Sequence, residues 1–343
     1  MAAKQPRSKA PGRKAANAMI VATGPEYATR PDAMALADEI AAQYQLDPKW
    51  TRRAIGRARF MPEVTRLVLP PPVDAPKNWQ LYRTNAIDPL RVQAGVKFWQ
   101  KNRDALARAE ARYGVPPQII IGILGVETFY GQQMGNYRAM DALATLAFDF
   151  PPTHPRAQAR SAFFKSELGQ LLSLKHQPGV DPLKLRGSYA GALGMPQFMP
   201  SSWVRYAVDF NGDGRIDLYN SPADIIGSVA YYFKSFNWQP GMPTHYAVSF
   251  DPEMLELDAL LAPDILPTFS VDSFTFKGAL LEGPARQHKG PLALVKLQNG
   301  KNEASYVAGT ENFYVITRYN WSSYYALGVI ELGQAVANAM PKP

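Results

Sequence analysis

A single carboxylate, Glu127, interrupts an almost wholly apolar run from Val115 to Gly131. Its neighbours include Ile119, Ile120, Ile121, Ile123, Leu124 and Val126. Ionising an acid among such side chains is unfavourable, because water no longer solvates the charge. Pro116-Pro117 opens a helix that closes near Gly131, and Glu127 falls in its last turn. The negative end of the helix dipole also disfavours the anion there. A protonated carboxylic acid in an apolar wall is what general-acid cleavage of a glycosidic bond requires. The plain alternative is a buried glutamate satisfied by arginine or backbone donors.

A second constellation runs from Gly187 to Trp203, Gly-Ser-Tyr-Ala-Gly-Ala-Leu-Gly-Met-Pro-Gln-Phe-Met-Pro-Ser-Ser-Trp. Glycines at 187, 191 and 194 allow a backbone to approach a ligand closely. Ser188 and Gln197 carry hydrogen-bonding groups suited to hydroxyls and acetamides. Tyr189, Met195 and Phe198 offer faces for sugar rings. The alternative is a glycine-rich loop packed under apolar side chains.

The third constellation, Asp209 to Asp217, reads Asp-Phe-Asn-Gly-Asp-Gly-Arg-Ile-Asp. It fits the start of an EF-hand loop, with oxygen ligands from Asp209, Asn211 and Asp213, a turn at Gly214 and the Arg215 carbonyl next. Position 12 calls for a bidentate Glu, and Asn220 stands there. A metal-free turn rich in Asp and Asn is the alternative.

Val126-Glu127-Thr128, the Gly187–Ser202 block and Thr317-Arg-Tyr-Asn320 occur in an order that resembles the membrane-bound lytic transglycosylase B family, a glycoside hydrolase family 103-like group. The resemblance covers roughly residues 30–340. It implies a mainly α fold: a lysozyme-like helical core with a flanking helical lobe and a small antiparallel β lobe. It implies a substrate, the MurNAc–GlcNAc glycan strand of peptidoglycan, and a periplasmic location. By this resemblance Glu127 is the sole catalytic acid/base. Tyr82, Ser188, Gln197, Phe198, Tyr232, Tyr319, Asn320 and Tyr325 match glycan-cleft positions. The family's metal loop is longer than an ordinary EF-hand and closes with a later Asp, which Asp224 matches. A structural Ca²⁺ is therefore expected on Asp209, Asn211, Asp213, the Arg215 carbonyl and Asp224, with Asp217 left open. No organic cofactor is expected. The chain departs from the family at residues 150–160, an insertion containing Arg156 and Arg160.

These residues need elements to hold them. Helical spacing marks residues 30–62, 88–113, 117–131, 141–148 and 161–174. The Pro70-Pro71-Pro72 run marks a turn. After Gly241, Pro, Thr, Val and Phe become frequent, and the runs Ser273–Phe276, Ala293–Leu297 and Phe313–Thr317 read as short strands. The organisation expected is a disordered basic tail over 1–29, a helical lobe over 30–100 and a catalytic core with the EF-hand-like loop over 101–242. A β lobe over 243–317 follows, and a helix over 318–343 returns to the core.

Composition narrows the function classes. The 343 residues are 46% hydrophobic, enough for a large core. No apolar run approaches the roughly 20 residues of a membrane span. The absence of cysteine excludes disulfides and thiolate chemistry. The net charge is +8, but Lys4, Arg7, Lys9, Arg13 and Lys14 lie in an acid-free stretch before residue 19. Much of the basicity is thus a tail, and no basic, aromatic-interleaved stripe points to nucleic acid. The tail lacks the apolar centre of a secretory signal. Nothing points to an obligate oligomer, so a monomer is expected. Three functions compete: a lytic transglycosylase forming 1,6-anhydroMurNAc ends, a hydrolytic muramidase, and a non-catalytic, calcium-stabilised peptidoglycan-binding protein.

Overall fold

The computed structural model describes residues 19–70 and 76–341. The five basic residues before position 19, and Pro71-Pro72 of the proline run, lie outside them. Among the described residues there are fifteen α-helices and only short antiparallel strands, so the fold is mainly α as the sequence suggests. Contacts divide the chain into two compact units, Met1–Pro70 with Gln133–Val204, and Pro71–Gln132 with Arg205–Pro343.

In the first unit, helices Pro31–Gln43, Pro48–Gly56 and Pro62–Leu67 each begin with proline, whose fixed φ suits the first helical position. Asp47 caps the second by accepting the Trp50 N–H at 2.6 Å. Helices Ala139–Phe148 and Ala157–Ser173 pack together over buried Leu143, Leu146, Phe164 and Leu168. A short ribbon pairs Tyr137–Arg138 with Arg186–Gly187. It holds the start of the glycine-rich loop, where a Cβ on Gly187 would lie 1.8 Å from the Ala192 carbonyl oxygen. Only glycine fits there.

The second unit is built around helix Pro117–Thr128, buried throughout from Ile119 to Gly125. Helix Ser323–Asn338 packs along it. The backbones approach so closely that a Cβ on Gly122 would lie 2.1 Å from the Val329 carbonyl oxygen. Helices Trp79–Ala86, Pro89–Lys101, Arg103–Tyr113 and Pro222–Ser235 also belong to this helical part. A three-stranded antiparallel sheet places Asn302–Gly309 between His245–Ala247 and Ala293–Asn299. Leu260, Phe274, Leu281, Leu292 and Leu294 form the core of this lobe.

Two of the three expected strands in this region are helices. Ser273–Phe276 belongs to helix Val271–Phe276, started by the Ser270 hydroxyl accepting the Ser273 N–H. Phe313–Thr317 belongs to helix Glu311–Thr317, started by Thr310. Both caps lie just ahead of runs too short to show a period of their own. Ala293–Leu297 is a strand as expected.

Candidate active site

Glu127 lies one residue before the end of its helix. The end is fixed by a double backbone closure: Phe129 N–H to Gly125 O at 3.1 Å, and Tyr130 N–H to Leu124 O at 3.0 Å. The Thr128 hydroxyl accepts the Gly131 N–H at 3.1 Å. Phe129 and Tyr130 have φ of 51° and 55°, a left-handed pair that costs strain in side-chain-bearing residues. Three residues of helix Pro89–Lys101 hold this turn. The Arg91 guanidinium sits 5.2 Å from the Phe129 ring centre, and Phe98 stacks on Tyr130 at 5.6 Å. Gly95 leaves room for the Tyr130 hydroxyl, which a Cβ would approach to 2.4 Å. The sequence carries a faint signal for this support, since Arg91, Gly95 and Phe98 share one helical face, but their task was not foreseen.

The Tyr325 hydroxyl donates to Glu127 Oε1 at 2.5 Å. Burial pushes the Glu127 carboxyl up to about 7, and the Tyr325 hydrogen bond works the other way. Tyr325 sits in the first turn of its helix, capped by Ser322. Its ring stacks on Tyr319 with centres 6.5 Å apart, and Tyr319 contacts Tyr232 at 4.8 Å. The Tyr232 hydroxyl donates to the Arg318 carbonyl at 2.7 Å. Tyr82 packs on Trp79 and Tyr324, each about 6 Å away. Burial and then the charge of Glu127 raise the hydroxyl pKa values of Tyr82, Tyr319 and Tyr325. The structure thus brings Glu127, Tyr82, Tyr232, Tyr319 and Tyr325 together, with Asn320 exposed beside Tyr319.

Ser188, Gln197 and Phe198 belong to the other unit. The Ser188 hydroxyl accepts the Ala190 and Ala192 N–H groups at 3.2 and 3.0 Å, so it shapes its own loop. Gln197, with φ 52°, donates from Nε2 to the Met134 and Gly194 carbonyls at 3.1 and 2.9 Å. Phe198 is only 2% exposed, and its backbone pairs with Leu193. The buried ring offers almost no face to a sugar, whereas Tyr189 is 37% exposed. In the insertion, Arg160 lies over Phe163 and Phe164, and the His154 ring accepts the Arg156 N–H as a loop residue.

The Asp209 loop is curled on its own amides. Asp209 accepts the Gly212 and Gly214 N–H groups at 2.7 and 2.8 Å, and Asp213 accepts the Arg215 N–H at 2.9 Å. Gly212 and Gly214 take φ of 77° and 84°. Hard oxygens from Asp209, Asn211, Asp213 and the Arg215 carbonyl suit Ca²⁺ chemically. Asp224, the expected closing ligand, is engaged with the backbone of the loop. It is fully buried, and its oxygens accept the N–H groups of Phe210, Asn211 and Asp217 at 2.9, 3.3 and 3.0 Å. It pins the loop from beneath. Among the described residues, no three acidic or imidazole side chains converge as a ready metal cluster.

Comparison with known proteins completes the account. The transglycosylase SLT domain family model matches residues 28–334. The chain belongs to that family. This transglycosylase is 39% identical over 329 residues to membrane-bound lytic murein transglycosylase B of Escherichia coli (strain K12), covering 93% of this chain and 86% of that protein. It superposes with a TM-score of 0.80 on soluble lytic transglycosylase SltB1 from Pseudomonas aeruginosa, 38% identical, covering 90% and 99% of the two chains. The Escherichia coli lytic transglycosylase Slt35 in complex with calcium gives 0.77 at 39% identity, with 93% and 96% covered. The transglycosylase has no helix, among the described residues, long and apolar enough to cross a membrane.

Proposed function

We propose that this transglycosylase cleaves the MurNAc–GlcNAc β-1,4 bond of peptidoglycan, in the periplasm, and leaves 1,6-anhydroMurNAc ends. The supporting observation is the one carboxyl held near pKa 7 with Tyr325 on one oxygen. Glu127 protonates the glycosidic oxygen as the bond to C1 breaks and positive charge develops on the sugar. Burial raises its pKa and the Tyr325 hydrogen bond lowers it, and among the described residues no second carboxylate contributes to the shift. No second carboxylate is therefore assigned as a nucleophile. The substrate's own acetamide shields C1 instead. Glu127, now ionised and steadied by Tyr325, takes the proton of the C6 hydroxyl, which attacks C1. Acid and base steps each need about half-occupancy of the proton near neutral pH, which a pKa of about 7 provides.

Mass spectrometry of the released fragments tests this reading. Anhydro ends, lighter by one water than reducing ends, are expected; reducing ends alone would make the enzyme a hydrolytic muramidase. Ser188, Gln197 and Tyr189 of the glycine-rich loop are assigned to glycan binding.

A structural Ca²⁺ on Asp209, Asn211, Asp213 and the Arg215 carbonyl belongs to the same proposal. It would neutralise and brace the loop above Asp224, away from the chemistry. Added Ca²⁺ should raise the melting temperature and a chelator should reverse the rise. An identical melting curve in both conditions would remove the metal from the proposal.

A further inference from the structure

The aromatic cluster beside Glu127 does not end at the tyrosines that contact it. Tyr325 leads to Tyr319, Tyr319 to Tyr232, and Tyr232 to Phe236 at 4.7 Å. The Arg318 guanidinium lies 5.5 Å from Phe236, and 5.8 Å from both Tyr314 and Trp321. Tyr314 meets Trp321 edge-on at 5.9 Å. Trp321 is 53% exposed and directly follows Asn320. The ladder therefore starts at the acid and ends on an indole in water.

We propose that Trp321, braced by Tyr314 and Arg318, is an outer carbohydrate subsite that takes a further pyranose ring of the same glycan strand. The inference rests on the transglycosylase reading above. A pyranose presents axial C–H groups on one face, which gain dispersion contact and lose water against a flat indole. A tryptophan supported on its edge by a second ring and a cation is held rigid, so little entropy is lost when a ligand lands on it. Arg318 supplies the polar half. Among the described residues its guanidinium has no carboxylate partner, and its one hydrogen bond is Nη1 to the Tyr314 hydroxyl at 3.4 Å. Its remaining N–H groups suit a ring hydroxyl, an acetamide carbonyl or the lactyl carboxylate of MurNAc. Position selects the occupant: Trp321 follows exposed Asn320 and is the solvent end of the ring cluster that begins on Glu127, where a glycan strand held at the acid would continue.

The test measures strand binding in the Glu127→Gln background, using peptide-free MurNAc–GlcNAc strands fractionated by length. Affinity should rise with length. Adding Trp321→Ala should weaken long strands about tenfold more than short ones, equivalent to ~1.4 kcal/mol. Trp321→Phe, which keeps a flat ring, should restore most of that difference. Phe276→Ala, at an exposed aromatic of the β lobe, should leave the length dependence as it was. An unchanged length dependence in Trp321→Ala, or an equal loss at every length, overturns the subsite. If the unmutated enzyme makes no anhydro products, the underlying reading fails instead, and the two failures are thereby separated.

Discussion

Glu127 and Asp224 are both carboxylates set within the second unit, and they are treated in opposite ways. Asp224 is fully enclosed, and three backbone N–H groups satisfy its two oxygens. Glu127 keeps partial exposure and receives one hydroxyl, on one oxygen. Full satisfaction makes a carboxylate a structural pin, since its charge is useful only where it is. Partial satisfaction leaves the proton's position nearly balanced between two states, which is the condition for moving it. At Glu127 burial raises the pKa, and a single hydrogen bond leaves most of that rise in place.

The largest effect expected from this contrast is on catalysis. Glu127→Gln should lower turnover by about 10³-fold or more, measured as soluble fragments released from sacculi, while strands still bind. A variant with near-normal turnover would abolish the distinction. Next comes Asp224→Ala, which leaves three amides without their acceptor, that of Phe210 buried, and should destabilise the fold by about 3 kcal/mol in urea denaturation. A loss below about 0.5 kcal/mol would mean that the amides find other partners.

A smaller effect concerns pH. The folded state holds the Glu127 proton more tightly than the unfolded chain between about 4.5 and 7. Stability therefore falls as pH rises through that window, and the cost is fully present above 7. Glu127→Gln removes it. The variant should gain about 2 kcal/mol over the parent at pH 8, a gain that fades as pH drops to 4. Comparable gains at both pH values would show that the acid is not strained by burial. The smallest effect is that of Tyr325→Phe. Losing the hydroxyl should cost about tenfold in rate and move the alkaline limb of the pH–rate profile upward, because this hydrogen bond holds the Glu127 pKa down. A downward move would contradict the assigned geometry.

Much of this was legible along the chain. Glu127 stands out because its neighbours are apolar, and the Pro117 start and Gly131 end bracket its helix. The Ala293–Leu297 strand and the long helices follow from periodicity. Ser273–Phe276 and Phe313–Thr317 did not, because four or five apolar residues fit either period, and their capping residues decided the matter. Phe198 reads as a sugar face from its type, yet the fold buries its ring. The family resemblance matches Asp224 to a metal ligand, and the fold adds that its carboxylate holds the amides of Phe210, Asn211 and Asp217.

The sequence by itself determined where an acid would be reluctant to ionise, since that depends on local apolar neighbours and helix position. Tertiary structure decided how reluctant. Tyr325 reaches Glu127 across 198 residues of chain, and Arg91, Gly95 and Phe98 lock the turn that aims it. Short-range order fixes which groups are present. The proton's free energy depends on atoms a few ångströms away in space, and only the packed fold brings those atoms together.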